Sequence, residues 1–151
     1  MASGLPVGAF VSSKKIMDSL QEHPKLGHIT TFGGNPVIAA ASLATLKEIT
    51  ENRLIQQTLT KEKLFRDRLV HPLIKEIRGK GLMLALLFEK KEIADYLVLT
   101  AAKKRLILFW LLFEPKAVRI SPPLTITEKE IMEGCDQIIG ILNTYRPVAV
   151  N

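Results

Sequence analysis

Two uninterrupted apolar runs, at residues 82–88 and 106–113, constrain this chain more than any other feature. Each has the length of a strand and lacks the polar alternation of a half-wetted sheet. The pattern therefore predicts two strands with little water on either face. Between them Ile93, Leu97, Thr100 and Ala101 recur at helical spacing and predict a connecting helix. A third short strand is expected at residues 117–120, stopped by Pro122-Pro123, because proline cannot donate to a ladder.

The last helix has the clearest start. Thr127 and Glu130 stand at capping-box spacing, and Ile126 and Ile131 occupy the positions of a hydrophobic staple. Ile131, Cys135, Ile138 and Leu142 continue as one apolar stripe. Upstream, Asn35-Pro36 predicts a helix N-terminus, since the Asn side chain caps free N–H groups and proline suits the first turn. Ala39, Leu43, Leu46 and Ile49 form an apolar stripe on this helix. Ile55, Leu59, Phe65 and Leu69 extend the helical pattern past a break near Glu51-Asn52, and His71-Pro72 ends it. Before this region, residues 5–11 read as a strand approached through Gly4, Pro6 and Gly8. Ser12 or Ser13 caps a brief helix through Leu20, and residues 22–35 read as a loop.

The order is strand and helix remnants, a long helix, then β-α-β-β-α. It predicts an α+β fold, a three- to four-stranded, mainly antiparallel sheet with helices on one face. Residues 1–35 have too few elements to bury their own apolar surface and read as a remnant of a larger domain. Residues 36–71 form a long linking helical region, and residues 72–151 a small C-terminal domain.

At 151 residues the chain suffices for one domain with a real core. Its net charge of +6 does not mark a nucleic-acid face, because basic residues alternate with acids, as in Lys61-Glu62-Lys63. The run at 106–113 is far short of the roughly 20 residues that span a bilayer. The N-terminus carries no basic, apolar leader pattern. The expectation is a cytoplasmic protein with no nucleic acid and no membrane among its partners. The single cysteine, Cys135, excludes an internal disulfide and sits in an apolar stripe, where a thiol is inert.

His23, His28 and His71 have no metal-ligand spacing, so no metal site is expected. Two segments carry candidate chemistry. Thr30-Thr31-Phe32-Gly33-Gly34-Asn35-Pro36 offers two hydroxyls and a glycine pair beside a helix N-terminus, whose free N–H groups favour phosphate. The plain alternative is a loop with a good cap. In Val118-Arg119-Ile120 the side chains alternate, so Arg119 points away from its apolar neighbours, and its fork matches a carboxylate. The alternative there is an edge-strand arginine reaching solvent.

Together these segments resemble the class III pyridoxal-phosphate-dependent aminotransferases, of the acetylornithine/ornithine/4-aminobutyrate aminotransferase type. Met1-Ala2-Ser3-Gly4-Leu5-Pro6-Val7-Gly8-Ala9 is similar to the segment just after the Schiff-base lysine in that family. Thr30 to Pro36 resembles its S-T-F-G-G-N-P segment. Arg78-Gly79-Lys80-Gly81-Leu82-Met83 resembles R-G-x-G-L-M, and Arg119-Ile120-Ser121-Pro122-Pro123-Leu124 resembles R-x-x-P-P-L. The four occur in the family's order across nearly the whole chain. Between the last two expected strands the family often carries a glycine or asparagine turn, whereas Leu111-Leu112-Phe113-Glu114-Pro115-Lys116 is more apolar.

The resemblance implies the small C-terminal domain of a fold-type I, aspartate-aminotransferase-like enzyme. It implies that Thr31, with Thr30 beside it, reaches the phosphate of the neighbouring subunit's pyridoxal phosphate, and that Arg119 holds the substrate carboxylate. No catalytic residue is assigned within the chain, because the matching lysine falls just before Met1; Lys14 and Lys15 do not occupy its position. The expected function is that of a transaminase moving an amino group from an amino acid or ω-amino acid to a 2-oxo acid, with this chain inactive and not stably holding the cofactor alone. A homo-oligomer is expected. The alternative is a free-standing α+β module that binds small anions or a partner protein.

Overall fold

The computed structural model describes residues 3–21 and 29–147. The chain divides into two compact units, Met1–Arg53 and Leu54–Asn151, each described by itself.

In the first unit, helix α1 spans Lys14–Asp18 and helix α2 spans Pro36–Glu51. Ser13 stands at the N-cap of α1 without a side-chain cap bond. Residues 5–11 do not form the expected strand: beyond an isolated bridge at Leu5 they have no regular structure. A strand holds its shape through a ladder, and the described residues of this unit provide none. Helix α2 starts where the sequence predicts. The Asn35 side chain accepts from the backbone N–H of Val37 and of Ile38, and Pro36 fills the first turn. Its apolar stripe, however, is not covered: Leu43 and Leu46 are exposed, and the one buried α2 residue is Ser42, whose hydroxyl donates to the Ile38 carbonyl. Part of the expected loop, residues 22–28 with His23 and His28, lies outside the described residues.

The second unit contains helix α3 (Leu54–Arg68), strands β1 (Ile74–Lys80) and β2 (Met83–Phe88), and helix α4 (Lys91–Lys103). Strands β3 (Phe109–Leu111) and β4 (Glu114–Ile120) and helix α5 (Glu128–Thr144) complete it. The four strands make one antiparallel sheet in the order β1-β2-β4-β3. The fold is α+β, with the helices on one face. Leu84, Leu86 and Phe88 of β2 and Val118 and Ile120 of β4 meet Leu97 and Ala101 of α4 and Ile131, Cys135 and Ile138 of α5 in a single core. Helix α5 has its capping box in place, with the Thr127 hydroxyl accepting from the Glu130 N–H and the Glu130 carboxylate accepting from the Thr127 N–H.

Three strand expectations change. Strand β1 is an addition, missed because Ile74 and Ile77 are its only apolar residues. The run at 106–113 does not make a long strand. Only Phe109–Leu111 pairs, Leu108 turns into the core, and Leu112 and Phe113 form the exposed turn to β4. Nor is β2 dry on both faces. Its burial alternates, and Met83 is 77% exposed, because helices cover one face only.

Helix α3 grips the β1–β2 hairpin through two charged side chains. Arg66 donates from Nη1 to the Ile77 carbonyl (2.6 Å), from Nη2 to the Gly79 carbonyl (2.9 Å) and from Nε to Glu62 Oε1 (2.8 Å). Glu62 Oε2 accepts the Gly81 N–H at 2.5 Å. That backbone donor, with the Arg66 guanidinium, holds the Glu62 carboxyl below the usual carboxylate range. The hairpin itself requires glycine. Gly79 has φ +111°, and a Cβ there would sit 2.0 Å from the Met83 carbonyl oxygen.

Candidate functional site

The Thr30–Pro36 segment folds as a tight double turn in the first unit. The Thr30 carbonyl accepts from the Gly33 N–H (3.1 Å), the Phe32 carbonyl accepts from the Asn35 N–H (3.1 Å), and Gly34 takes φ +72°. Thr30 and Thr31 are both exposed. The expectation of free N–H groups at this helix end needs correction. Pro36 has none, Val37 and Ile38 donate to the Asn35 side chain, and Ala39 donates to the Asn35 carbonyl. The cap has used the donors that an anion would need, so the threonine hydroxyls and the helix dipole remain as attractions. A hollow of about 490 Å³ lies beside the turn, lined among others by Gly8, Thr30, Gly33, Gly34 and Asn35. Thr31 is not in its wall, and among the described residues no lysine, arginine or carboxylate is.

Arg119 lies in the second unit, on β4, which is flanked by ladders on both sides. Strand alternation turns Val118 and Ile120 into the core and leaves Arg119 on the open sheet face. Directly across the ladder is Phe109, and the Arg119 guanidinium carbon stands 5.4 Å from its ring centroid. Stacking on an aromatic face fixes the plane of the fork while leaving its N–H edge free. Among the described residues no carboxylate pairs with Arg119, and two cavities of about 160 and 170 Å³ border it. The larger has a floor of Gly79 and Ala85; the smaller is walled by Phe65, Ile126 and Ile138 among others.

The two candidate centres thus belong to separate units. The remaining sequence candidates have structural roles. His71 accepts the Leu73 N–H and meets Asn143. The Cys135 thiol is pushed up to about 12 by burial. Arg78, two strands from Arg119, has no role that its own segment reveals; it lies level with Arg119 only through the register of the sheet.

A fold of this kind matches known proteins. The family described as aminotransferase class-III matches over residues 1–142, and the chain belongs to that family. It corresponds to the C-terminal portion of its solved members. An ω-transaminase from Pseudomonas jessenii, solved with PMP, is 29% identical with a TM-score of 0.73; the match covers 85% of this chain and 31% of that one. An ornithine aminotransferase from Plasmodium yoelii is 26% identical with a TM-score of 0.68, over 78% of this chain and 32% of that one. A phospholyase from Arthrobacter, solved with phosphoethanolamine, shares the fold at a TM-score of 0.88 over 97% of this chain and 37% of its own, at 21% identity. The chain spans about a third of the length of these solved relatives.

The family uses pyridoxal phosphate. The residues present suit one end of that group. Threonine hydroxyls at the positive end of α2 can donate to a phosphate. The aldehyde end needs a lysine, and among the described residues none lines the hollow beside Thr30.

Proposed function

We propose that this chain is the C-terminal part of a transaminase that moves an amino group from an amino acid or ω-amino acid to a 2-oxo acid. The observation that carries the reading is Arg119: an unpaired guanidinium, stacked on Phe109, fixed on an interior strand of a class III aminotransferase fold. Its free edge would accept a carboxylate bidentately and so orient the carbon that exchanges the amino group. Thr31, exposed on the turn before α2 and outside the wall of its own unit's hollow, would donate its hydroxyl to the phosphate of a cofactor held by a neighbouring subunit. Pyridoxal phosphate, when bound, supplies the electron sink for the transfer. The residues of this chain would bind and aim; none of the described residues lining the hollow is a lysine, and the reading has the chain alone inactive and holding the cofactor poorly.

Self-association belongs to the same reading. Leu112 and Phe113 are 91% and 97% exposed at the tip of the β3–β4 hairpin, next to the free edge of β3. Adjacent bulky apolar side chains beside an unpaired edge favour contact with a second copy. The compartment expected from the sequence is the cytoplasm, and no helix among the described residues is long and apolar enough to cross a membrane.

Reduction with borohydride in the presence of pyridoxal phosphate, followed by mapping of labelled lysines, tests the proposal. Scattered or negligible labelling without amino transfer is the expected outcome. One stoichiometrically labelled lysine together with turnover would make the chain an enzyme in its own right and overturn it.

A further inference from the structure

Helix α5 carries a glycine that neither its backbone nor its packing requires. Gly134 lies inside Glu128–Thr144 in right-handed helix, and a Cβ there would meet nothing within 4 Å. Such a glycine costs a helix about 0.5–1 kcal/mol relative to alanine. Gly134 stands in the wall of the cavity of about 160 Å³, so its missing side chain is room that the cavity keeps. The rest of that wall comes from the helix side of the sheet: Phe65 of α3, Leu108, Ile120 of β4, Ile126 and Ile138 of α5. These side chains belong to the core or pack against it, so the cavity is a hollow let into its margin. An apolar hollow of about 150 Å³ stays dry and takes a benzene ring.

Among the described residues, the polar side chains of this wall are Arg119, Ser121 and Glu130. Glu130 is committed elsewhere: its Oε2 accepts from the Thr127 N–H and from the Thr127 hydroxyl, both at 2.8 Å. Ser121 is exposed, just past the end of β4. Arg119 keeps its ring contact with Phe109 and has no acidic partner among the described residues. Phe65 and Phe109 both line the hollow, so a ring that enters has aromatic neighbours and a cation at the rim. An apolar body sheds its water there, and one carboxylate finds the guanidinium. A second charge on that body would be left unpaired among apolar side chains.

We infer that this hollow binds a compact aryl monocarboxylate, its ring against Gly134 and Phe65 and its carboxylate on Arg119. The inference rests on the reading of Arg119 as a carboxylate holder and goes beyond it, because this ligand has no amino or oxo group to exchange. It takes the guanidinium from the helix side of the sheet. The hollow is therefore a regulatory site: an arylcarboxylate seated in it competes with a substrate carboxylate for the same fork. Gly134 sets the size of the ring that fits.

The test titrates the isotope-labelled chain, near neutral pH and at constant ionic strength, with benzoate and with acetate, which has the carboxylate and no ring. Benzoate should move the amides of Arg119, Gly134 and Ile138 and bind about tenfold tighter than acetate, since only its ring leaves water for the hollow. Acetate should leave the Gly134 and Ile138 amides in place. Gly134→Ala should remove most of the benzoate margin without changing acetate binding. Gly140→Ala alters the same helix at a position that also meets nothing within 4 Å but lies outside the wall, so it should leave both affinities unchanged. Arg119→Gln should weaken both acids. Equal affinity for the two acids, a margin untouched by Gly134→Ala, or one lost equally in Gly140→Ala overturns the inference and leaves Arg119 a carboxylate holder. If neither acid moves the Arg119 amide, or Arg119→Gln leaves both affinities as they were, the reading of Arg119 falls, and the arylcarboxylate site falls with it.

Discussion

Gly79 shows how a single residue can be dictated by its surroundings. Its φ of +111° disfavours any L side chain, and an added Cβ would overlap the Met83 carbonyl oxygen across the hairpin. Gly79→Ala should therefore lower stability by about 1–3 kcal/mol or more, read as a drop in the urea midpoint. Gly134 is the contrast. It lies within α5, a Cβ there meets nothing within 4 Å, and Gly134→Ala should leave stability unchanged or raise it by about 0.5–1 kcal/mol, read as an equal or higher midpoint. At Cys135 the expectation concerns reactivity. Burial among apolar side chains, reinforced by Asp136, raises the thiol to about 12, so it stays neutral across the ordinary pH range. A thiol-specific disulfide reagent at pH 8 should leave native Cys135 untouched and label it only after denaturant unfolds the chain. Prompt labelling in buffer would contradict the packing of α5.

Between elements, the grip of α3 on the β1–β2 hairpin has a pH dependence of definite sign. The Glu62 carboxyl is lowered in the folded chain by the Gly81 N–H first and Arg66 second. The stabilisation is thus fully present above the carboxyl's unfolded value and is lost as pH falls through its folded one. Acid unfolding should steepen below the ordinary carboxylate range, and Glu62→Gln should flatten that part of the curve. Glu76, Glu89, Asp95 and Glu130 are lowered too, so the comparison between variant and unsubstituted chain isolates Glu62. Arg66→Met should cost about 1–2 kcal/mol, because two hairpin carbonyls lose their charged donor.

How much the sequence makes legible depends on whether a signal is local. Helix α5 announces itself because its cap and stripe lie in one segment and its partners bury that stripe. The stripe of α2 predicts the helix equally well but not its burial, since periodicity records a face and not what covers it. Strand β1 hides behind its charged residues, and the 106–113 run misleads because apolar character cannot separate a paired strand from an exposed turn. At the candidate sites, Thr30, Thr31 and Arg119 stand in short motifs and can be found by reading. Asn35 consuming the N–H groups of α2, and Arg78 standing level with Arg119, depend on hydrogen bonds and register that no single segment encodes.

At the scale of the whole molecule, the apolar hairpin tip predicts association. Sedimentation at tens of micromolar should give a dimer or larger species, and the paired change Leu112→Asp, Phe113→Asp should shift it toward the monomer without altering the fold's amide dispersion. A monomer at those concentrations would refute the proposed self-association.

The strand order gives the two arginines unequal lifetimes. Arg119 lies on an interior strand, whose amides exchange with solvent only when the sheet opens, whereas Arg78 lies on β1 at one edge, where fraying costs less. On warming, an edge strand loosens before the middle of its sheet. The Glu76–Arg78 ion pair on that strand should then loosen several degrees before the strand that carries Arg119 opens, so that heat frees the rim of the sheet while its middle still holds.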